Sequence, residues 1–204
     1  MTKIGVFGGT FDPVHWGHIY LARQAVSECD LDMVIVTPAA AQPFKQEQAT
    51  ASGVHRFNMI NLAFEVDEKI YVSDIELKKG GVSYTIDTLS EIKRLHGKDT
   101  EIFFILGVDA FLKVEQWKDA EKLLRDYSFV VGTRPGYRQN ELEGFIGHLN
   151  IVYSNKIMTI KNKQIDISST EIKRAINLCE SLSGFVPPDV ERYINSNEVY
   201  RGIY

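Results

Sequence analysis

The chain has 204 residues, of which 44% are hydrophobic, and a formal net charge of −4 at pH 7. These values predict one domain with its own core, and they argue against nucleic acid or an anionic membrane as partner, since both require a basic face. Cys29 and Cys179 are far apart, which favours two free, buried thiols over a disulfide. No leader-like or membrane-spanning segment is found in the sequence, so we expect a cytoplasmic protein.

The first predicted strand and helix, at residues 3–7 and 16–29, enclose the most informative motif. It reads Gly8-Gly9-Thr10-Phe11-Asp12-Pro13-Val14-His15-Trp16-Gly17-His18. Glycines after a strand let main-chain N–H groups approach an anion, and the start of a helix adds partial positive charge. His15 and His18 are three residues apart and therefore point the same way. The motif favours a polyphosphate site over a metal site, because no cysteine or carboxylate cluster completes a coordination set.

The later elements alternate between strands and helices. Strands are predicted at residues 33–37, 70–73, 102–106, 128–132 and 151–153, and helices at 53–66, 85–96, 111–117, 119–126, 140–148, 169–182 and 189–196. This alternation predicts an α/β fold with a parallel sheet that is covered on both faces. Ligands of such sheets bind beyond the carboxyl ends of the strands, where the strand order reverses.

Two further segments place candidate binding residues at that edge. Gly107 and Asp109 follow a predicted strand; the carboxylate can accept hydrogen bonds from a ribose or can cap the next helix, and both interpretations stay open. A Ser-Ser-Thr run at 168–170 begins a later helix, where its donors can bind phosphate or serve as an ordinary cap. Arg174, one turn further on, favours phosphate.

These motifs resemble those of the nucleotidylyltransferase superfamily, whose members combine a glycine-rich loop and an (H/T)-x-G-H motif with a Rossmann-like fold. Residues 8–18 are most similar to the bacterial nicotinate mononucleotide adenylyltransferases, which make deamido-NAD and pyrophosphate from ATP and nicotinate mononucleotide. The resemblance runs from Gly8 to Arg174 in the family's order. It implies a doubly wound, Rossmann-like parallel sheet in a single nucleotidylyltransferase domain, 1–204, with a small C-terminal helical part at 168–204.

The resemblance implies that His18 and His15 are catalytic and that a larger set binds ATP. That set is Gly8, Gly9, Thr10, Phe11, His15, His18, Gly107, Asp109, Arg134, Ile167, Ser168, Ser169, Thr170, Lys173 and Arg174. The family pattern I-S-S-T-x-(I/L)-R has its arginine at Lys173, with Arg174 beside it, so either residue is a candidate for the phosphate-binding cation. Mg²⁺ is expected to arrive with ATP, held mostly by phosphate oxygens and water, without a dedicated metal site in the protein.

The mononucleotide is assigned to Lys45, Tyr84, Thr85, Thr88 and Trp117 by the same resemblance. Residues 83–89 match the family's S-Y-T-x-D-T-L, and donors at a helix start suit a nicotinate carboxylate. An indole suits stacking on a pyridine ring, although most tryptophans are core residues. Lys45 follows Phe44, where the family has histidine.

The remaining alternatives concern the substrate and the class of protein. They are nicotinamide mononucleotide or phosphopantetheine as the second substrate, and a nucleotide-binding regulator without catalysis. Assembly into a homo-oligomer is left open.

Overall fold

The computed structural model describes residues 1–41, 51–133, 138–153, 156–161 and 167–202. Within them lie strands β1 (Lys3–Gly9), β2 (Met33–Pro38), β3 (Ile70–Val72), β4 (Glu101–Gly107), β5 (Ser128–Thr133) and β6 (Ile157–Lys161). They form one parallel sheet in the order β3-β2-β1-β4-β5-β6. The strand order reverses between β1 and β4. The predicted α/β, doubly wound, Rossmann-like sheet is therefore confirmed.

Helices cover both faces of the sheet. In chain order they are α1 (Trp16–Glu28), α2 (Gly53–Phe64), α3 (Ile75–Lys79), α4 (Thr85–His96), α5 (Val108–Phe111), α6 (Ala120–Asp126), α7 (Gln139–Tyr153), α8 (Ser169–Asn177) and α9 (Pro188–Ser196), with a 3-10 turn at Val114–Gln116. Buried residues of α1, α2, α8 and α9 form a core on one face. Residues of α4, α5, α6 and α7 form a second core on the other face. Burial on both sides explains why the central strands are almost continuously apolar.

The predicted strand at 151–153 is wrong. Helix α7 continues to Tyr153, and the sixth strand is β6, which the sequence analysis did not find. The β-branched Ile151 and Val152 suggest a strand locally, but they are 86% and 54% exposed on the helix. Leu142 and Leu149, seven positions apart, are buried and hold α7 against the core.

The two thiols differ in their surroundings. Both are free, but Cys29 is buried and Cys179 is exposed, so the expectation of two buried thiols is wrong for Cys179. Cys179 lies just beyond α8 in a surface turn, with φ at 56°. No helix in the described part of the chain is both long enough and apolar enough to cross a membrane.

Candidate active site

The ends of β1, β2, β4 and β5 lie at one edge of the sheet, beside the point where the strand order reverses. Gly8 and Gly9 at the end of β1 pair with Thr37 and Pro38 of β2. Gly107 at the end of β4 pairs with Gly132 of β5. Because the strands are parallel, their carboxyl ends lie on the same edge, which is where ligands of such sheets bind.

The two glycines at the end of β1 leave room for aromatic rings that pack on the two faces of the strand. A Cβ atom on Gly8 would lie 3.3 Å from Phe104 on one side of the sheet, and one on Gly9 would lie 3.0 Å from Phe11 on the other. Successive residues of a strand face opposite sides, so Phe104 and Phe11 approach the main chain of β1 closely from the two sides. Both glycines and Thr10 are only partly buried.

The imidazoles of His15 and His18 are stacked at the start of α1. Their ring centroids are 3.8 Å apart with 26° between the planes, which confirms that the two rings lie side by side. His15 is the residue that precedes the first turn of α1, and His18 lies within that turn. The rings of Phe11 and His18 are nearly perpendicular, with their centroids 5.0 Å apart, and Phe11 itself has φ at 50°. The rings are thus fixed beside the end of β1.

Gly17 allows the His15 ring to lie in this position. A Cβ atom on Gly17 would be 3.1 Å from both Cε1 and Nδ1 of His15. That separation is shorter than an ordinary van der Waals contact, so a side chain at this position pushes the imidazole aside.

Helix α8 begins next to the same loop. The Ser169 hydroxyl donates to the Pro13 carbonyl at 3.0 Å. Ser168 caps the helix: its Oγ accepts from the Glu171 N–H, and its own N–H donates to the Glu171 carboxylate. The capping interpretation thus holds for Ser168. Thr170 is exposed and Ile167 is buried.

Of the two adjacent cations on α8, Lys173 faces the loop after β1. Its Nζ lies 3.3 Å from the Asp12 carboxylate, and its side chain is 14% exposed. Arg174 is exposed. Adjacent residues of a helix point about 100° apart around its axis, so Lys173 and Arg174 point in different directions.

Behind the loop lies a buried polar network that the sequence analysis did not single out as functional. Asp12, 5% exposed, accepts from the Ala51 N–H at 3.0 Å and from the Tyr200 hydroxyl at 2.9 Å. Arg56, 2% exposed, donates to the carbonyl of Thr10 at 2.8 Å and to that of Ala51 at 3.2 Å. Burial lowers the pKa of the Arg56 guanidinium. One residue of this network could have been noticed in the sequence: Asp12 is a carboxylate inside a motif that otherwise suits the binding of anions.

Asp109 lies in the first turn of the short helix α5, and Gly107 rather than Asp109 is the residue at its cap. The Asp109 side chain is 62% exposed and accepts from Arg138 at 3.0 Å. A Cβ atom on Gly107 would meet nothing within 4 Å, so this strand end is open.

Of the residues assigned to the mononucleotide, the described ones lie on the face of the sheet that carries α4. Tyr84 and Thr85 begin α4, and Trp117 is half-buried with its ring edge-on to Phe104, centroids 5.9 Å apart. Because Phe104 also approaches Gly8, this group borders the end of β1 from that side. The hydroxyl of Thr88 donates to the buried Glu76 carboxylate at 2.7 Å.

Two predicted site residues, Lys45 and Arg134, lie outside the described residues. Within the described ranges, His, Cys, Asp and Glu side chains do not form a group of three or more that could hold a metal ion. Near the loop, the Ser169 hydroxyl, main-chain groups and the Lys173 cation suit a bound anion, while the Asp12 carboxylate is buried and accepts from Ala51 and Tyr200.

The chain is similar to known proteins over nearly its whole length. The model of the cytidylyltransferase-like family matches residues 6–175. A protein of Thermoanaerobacter sp. (strain X514) named "Probable nicotinate-nucleotide adenylyltransferase" is 37% identical over 199 residues, 98% of this chain and 94% of that protein. A protein of the same name from Moorella thermoacetica is 35% identical over 206 residues, 99% of this chain and 95% of its own length.

A solved structure supports the fold. The Plasmodium falciparum nicotinic acid mononucleotide adenylyltransferase complexed with NaAD superposes with a TM-score of 0.80, over 98% of each chain, at 21% identity. At that identity the likeness concerns the architecture of the sheet and its helices.

Proposed function

The chain belongs to the cytidylyltransferase-like family and, within it, to the nicotinate-nucleotide adenylyltransferases, and we propose that it joins ATP to nicotinate mononucleotide. The products are deamido-NAD and pyrophosphate, in a step of NAD biosynthesis. The observation that carries the proposal is the stacked pair of His15 and His18 at the glycine-rich end of β1, with the start of α8 bonded to the same loop through Ser169. That combination suits a triphosphate.

In the reaction, a phosphate oxygen of nicotinate mononucleotide attacks the α-phosphorus of ATP. A new P–O bond forms while the bond between the α-phosphorus and the bridging oxygen breaks, and pyrophosphate leaves with that oxygen. The attacking phosphate is already ionised, so no general base is needed. Catalysis consists of holding the two phosphates in line and stabilising the charge of the transition state.

The ATP side of the site is formed by the loop after β1 and the start of α8. His18 donates to the α-phosphate oxygens and His15 holds the phosphates alongside, while main-chain N–H groups of 8–11 line the loop. The hydroxyls of Ser169 and Thr170 and the ammonium of Lys173 bind the phosphates that leave as pyrophosphate. We assign the role of cation to Lys173 rather than Arg174 because Lys173 already lies on the loop.

The other residues assigned to ATP lie around the proposed triphosphate site. Gly107 and Asp109 border the adenosine at the open end of β4, Ile167 and Ser168 hold the start of α8, and Arg174 contributes charge from the exposed side. Arg134 completes the set.

The mononucleotide enters from the face of the sheet that carries α4. Trp117 stacks on the pyridine ring, and main-chain N–H groups at the start of α4, near Tyr84 and Thr85, receive the nicotinate carboxylate. Thr88 acts through Glu76, since its hydroxyl is bonded there. Lys45 pairs with the mononucleotide phosphate.

Mg²⁺ enters as part of the ATP substrate, held by phosphate oxygens and water. We place the enzyme in the cytoplasm, where ATP is supplied and where two free thiols are stable. The proposal includes a single domain, 1–204, with 168–204 as a C-terminal helical part, because α8 and α9 pack into the same core as α1 and α2. The proposed reaction requires no nucleic acid or membrane, and it is compatible with a monomer or a homo-oligomer.

The experiment is a substrate comparison. The purified protein is incubated with Mg²⁺, ATP and either nicotinate mononucleotide, nicotinamide mononucleotide or phosphopantetheine, and the pyrophosphate and the adenylylated product are measured. We expect deamido-NAD, with the highest kcat/KM for nicotinate mononucleotide. A higher kcat/KM for another acceptor would refute the assignment, and ATP binding without turnover would support the regulator.

A further inference from the structure

A single buried carboxylate connects three distant parts of the chain to the loop after β1. One oxygen of Asp12 accepts from the Ala51 N–H at 3.0 Å and from the Tyr200 hydroxyl at 2.9 Å. The other oxygen lies 3.3 Å from the Lys173 ammonium. A carboxylate as buried as Asp12 is stable as an anion only with such partners. The donors that satisfy Asp12 therefore also determine how strongly it attracts Lys173.

Tyr200 reaches Asp12 at some conformational cost. It lies in the segment after α9 and has φ at 73°, in the left-handed region that non-glycine residues rarely adopt. Its side chain is nonetheless buried, with 2% of the residue exposed. Burial raises the pKa of the Tyr200 phenol, and the Asp12 carboxylate raises it further, so the hydroxyl keeps its proton and donates it.

The same segment is also attached to α8. The Asn177 side chain donates to the Tyr200 carbonyl at 3.4 Å and to the Lys173 carbonyl at 2.8 Å. Tyr200 thus contacts α8 through its main chain and the loop after β1 through its hydroxyl. These two elements together form the proposed triphosphate site.

We propose that Tyr200 is a positioning residue for ATP: its hydroxyl holds Asp12, and Asp12 in turn sets where the Lys173 ammonium stands between the loop and α8. The inference rests on the proposed function, because it takes Lys173 as the cation that binds the triphosphate. It concerns two residues, Asp12 and Tyr200, that do not themselves touch the substrate.

The distances suggest how the positioning works. Charge-assisted N–H···O bonds are typically about 2.7–2.9 Å long, whereas Lys173 lies 3.3 Å from Asp12. The two donors on the other oxygen already stabilise the carboxylate, so its hold on Lys173 is loose, and an ammonium with three N–H groups is able to bind a phosphate as well. Without the Tyr200 hydroxyl, Asp12 loses the donor that holds it in place, and the Lys173 ammonium that Asp12 positions is displaced from the phosphates.

The test is Tyr200→Phe, compared with the matched control Tyr193→Phe. The Tyr193 hydroxyl, on α9, accepts from Asn58 at 2.9 Å and bonds His55 at 3.0 Å. The control therefore also removes a bonded phenol oxygen, but one that does not contact Asp12. We expect Tyr200→Phe to raise the KM for ATP about fivefold, in line with the loss of one hydrogen bond, with kcat and the KM for nicotinate mononucleotide changed less than twofold. Tyr193→Phe leaves all three values within twofold.

A double mutant separates positioning from general stability. In a Lys173→Met background, adding Tyr200→Phe is expected to change the KM for ATP less than twofold, because its route through Lys173 is gone. The proposal would be overturned if Tyr200→Phe raised the KM for ATP by the same factor in the Lys173→Met background as in the wild type. An unchanged KM for ATP in the single variant Tyr200→Phe would also overturn it. If Tyr200→Phe does not fold, Asp12→Asn replaces it, since the amide keeps an acceptor for Tyr200 but loses the charge; the same rise in KM is expected, and an unchanged KM refutes it.

Wild-type turnover is measured first in the same assay. Absence of turnover counts against the proposed function, whereas normal turnover with an unaltered Tyr200→Phe enzyme counts against the positioning role alone.

Discussion

The stacked imidazoles at the start of α1 depend on a neighbour that has no side chain. His15 is 8% exposed, and its ring lies where a Cβ atom on Gly17 would come within 3.1 Å. A glycine inside a helix costs about 0.5–1 kcal/mol relative to alanine. We infer that Gly17 serves the position of the imidazole, since the helix itself would be more stable with alanine.

Gly17→Ala is therefore expected to lower kcat about tenfold without lowering the thermal unfolding midpoint, because small displacements of reacting groups reduce rates strongly. The measurement is steady-state kinetics together with a thermal melt. Gly144→Ala is the matched control: it also lies in a helix, α7, and its Cβ would meet nothing within 4 Å. A Gly17→Ala enzyme with wild-type kcat would contradict the role given to the His15 ring.

Among the secondary-structure elements, α4 is held at its start by charges. Asp87 in its first turn bonds Lys79 at 3.0 Å and Lys118 at 3.3 Å, and the Lys118 ammonium lies 4.5 Å from the centre of the Tyr84 ring. The hydrogen bond from Lys79, with a smaller effect of Lys118, lowers the pKa of Asp87 below its usual value. These contacts fix the end of α4 that is proposed to receive the substrate carboxylate.

The pKa of Asp87 predicts a pH effect on stability. A carboxylate whose pKa is lower in the folded state stabilises the fold above its unfolded pKa of about 4, and this contribution is lost as the pH falls through the folded value. Asp87→Asn should reduce the difference in unfolding free energy between pH 7 and pH 3 by at most about 1 kcal/mol, since the pairs are partly solvated. Denaturant melts at both pH values measure it, with the exposed Asp99→Asn as control. If the difference in unfolding free energy between pH 7 and pH 3 is unchanged or larger in Asp87→Asn, the contribution proposed for Asp87 is contradicted.

The sequence predicted the elements whose signal is local. The run Ile4 to Phe7 and the glycines after it identified β1, the start of α1 and the edge where ligands bind. Ile151 and Val152 misled because local β-propensity was overridden by the burial of Leu149 in α7. The contact of Tyr200 with Asp12 joins residues 188 positions apart, and no periodicity or spacing indicates such a contact.

For the chain as a whole, depth in the packing distinguishes the two cysteines. Cys29 is 5% exposed and belongs to the core under α1, whereas Cys179 is exposed beyond α8. Burial raises the pKa of the Cys29 thiol, which lowers the fraction of reactive thiolate.

A thiol reagent such as dithiobis(nitrobenzoate) is accordingly expected to modify one cysteine per native chain quickly, and both in denaturant. Cys179→Ser should abolish the fast reaction, while Cys29→Ser should leave it. Rapid modification of both thiols in the native protein would contradict the packing of α1 on the sheet.

The chain carries a net charge of −4, so its anionic substrates must be held by local groups at the end of β1. Replacement of His18 by alanine tests this arrangement, with the exposed His148→Ala on α7 as control. The kcat for ATP and nicotinate mononucleotide is measured with the unfolding midpoint. We predict a kcat lowered by about 10²–10³, as for other preorganised donors, at an unchanged midpoint. A His18→Ala enzyme that turns over at the wild-type rate would contradict the account.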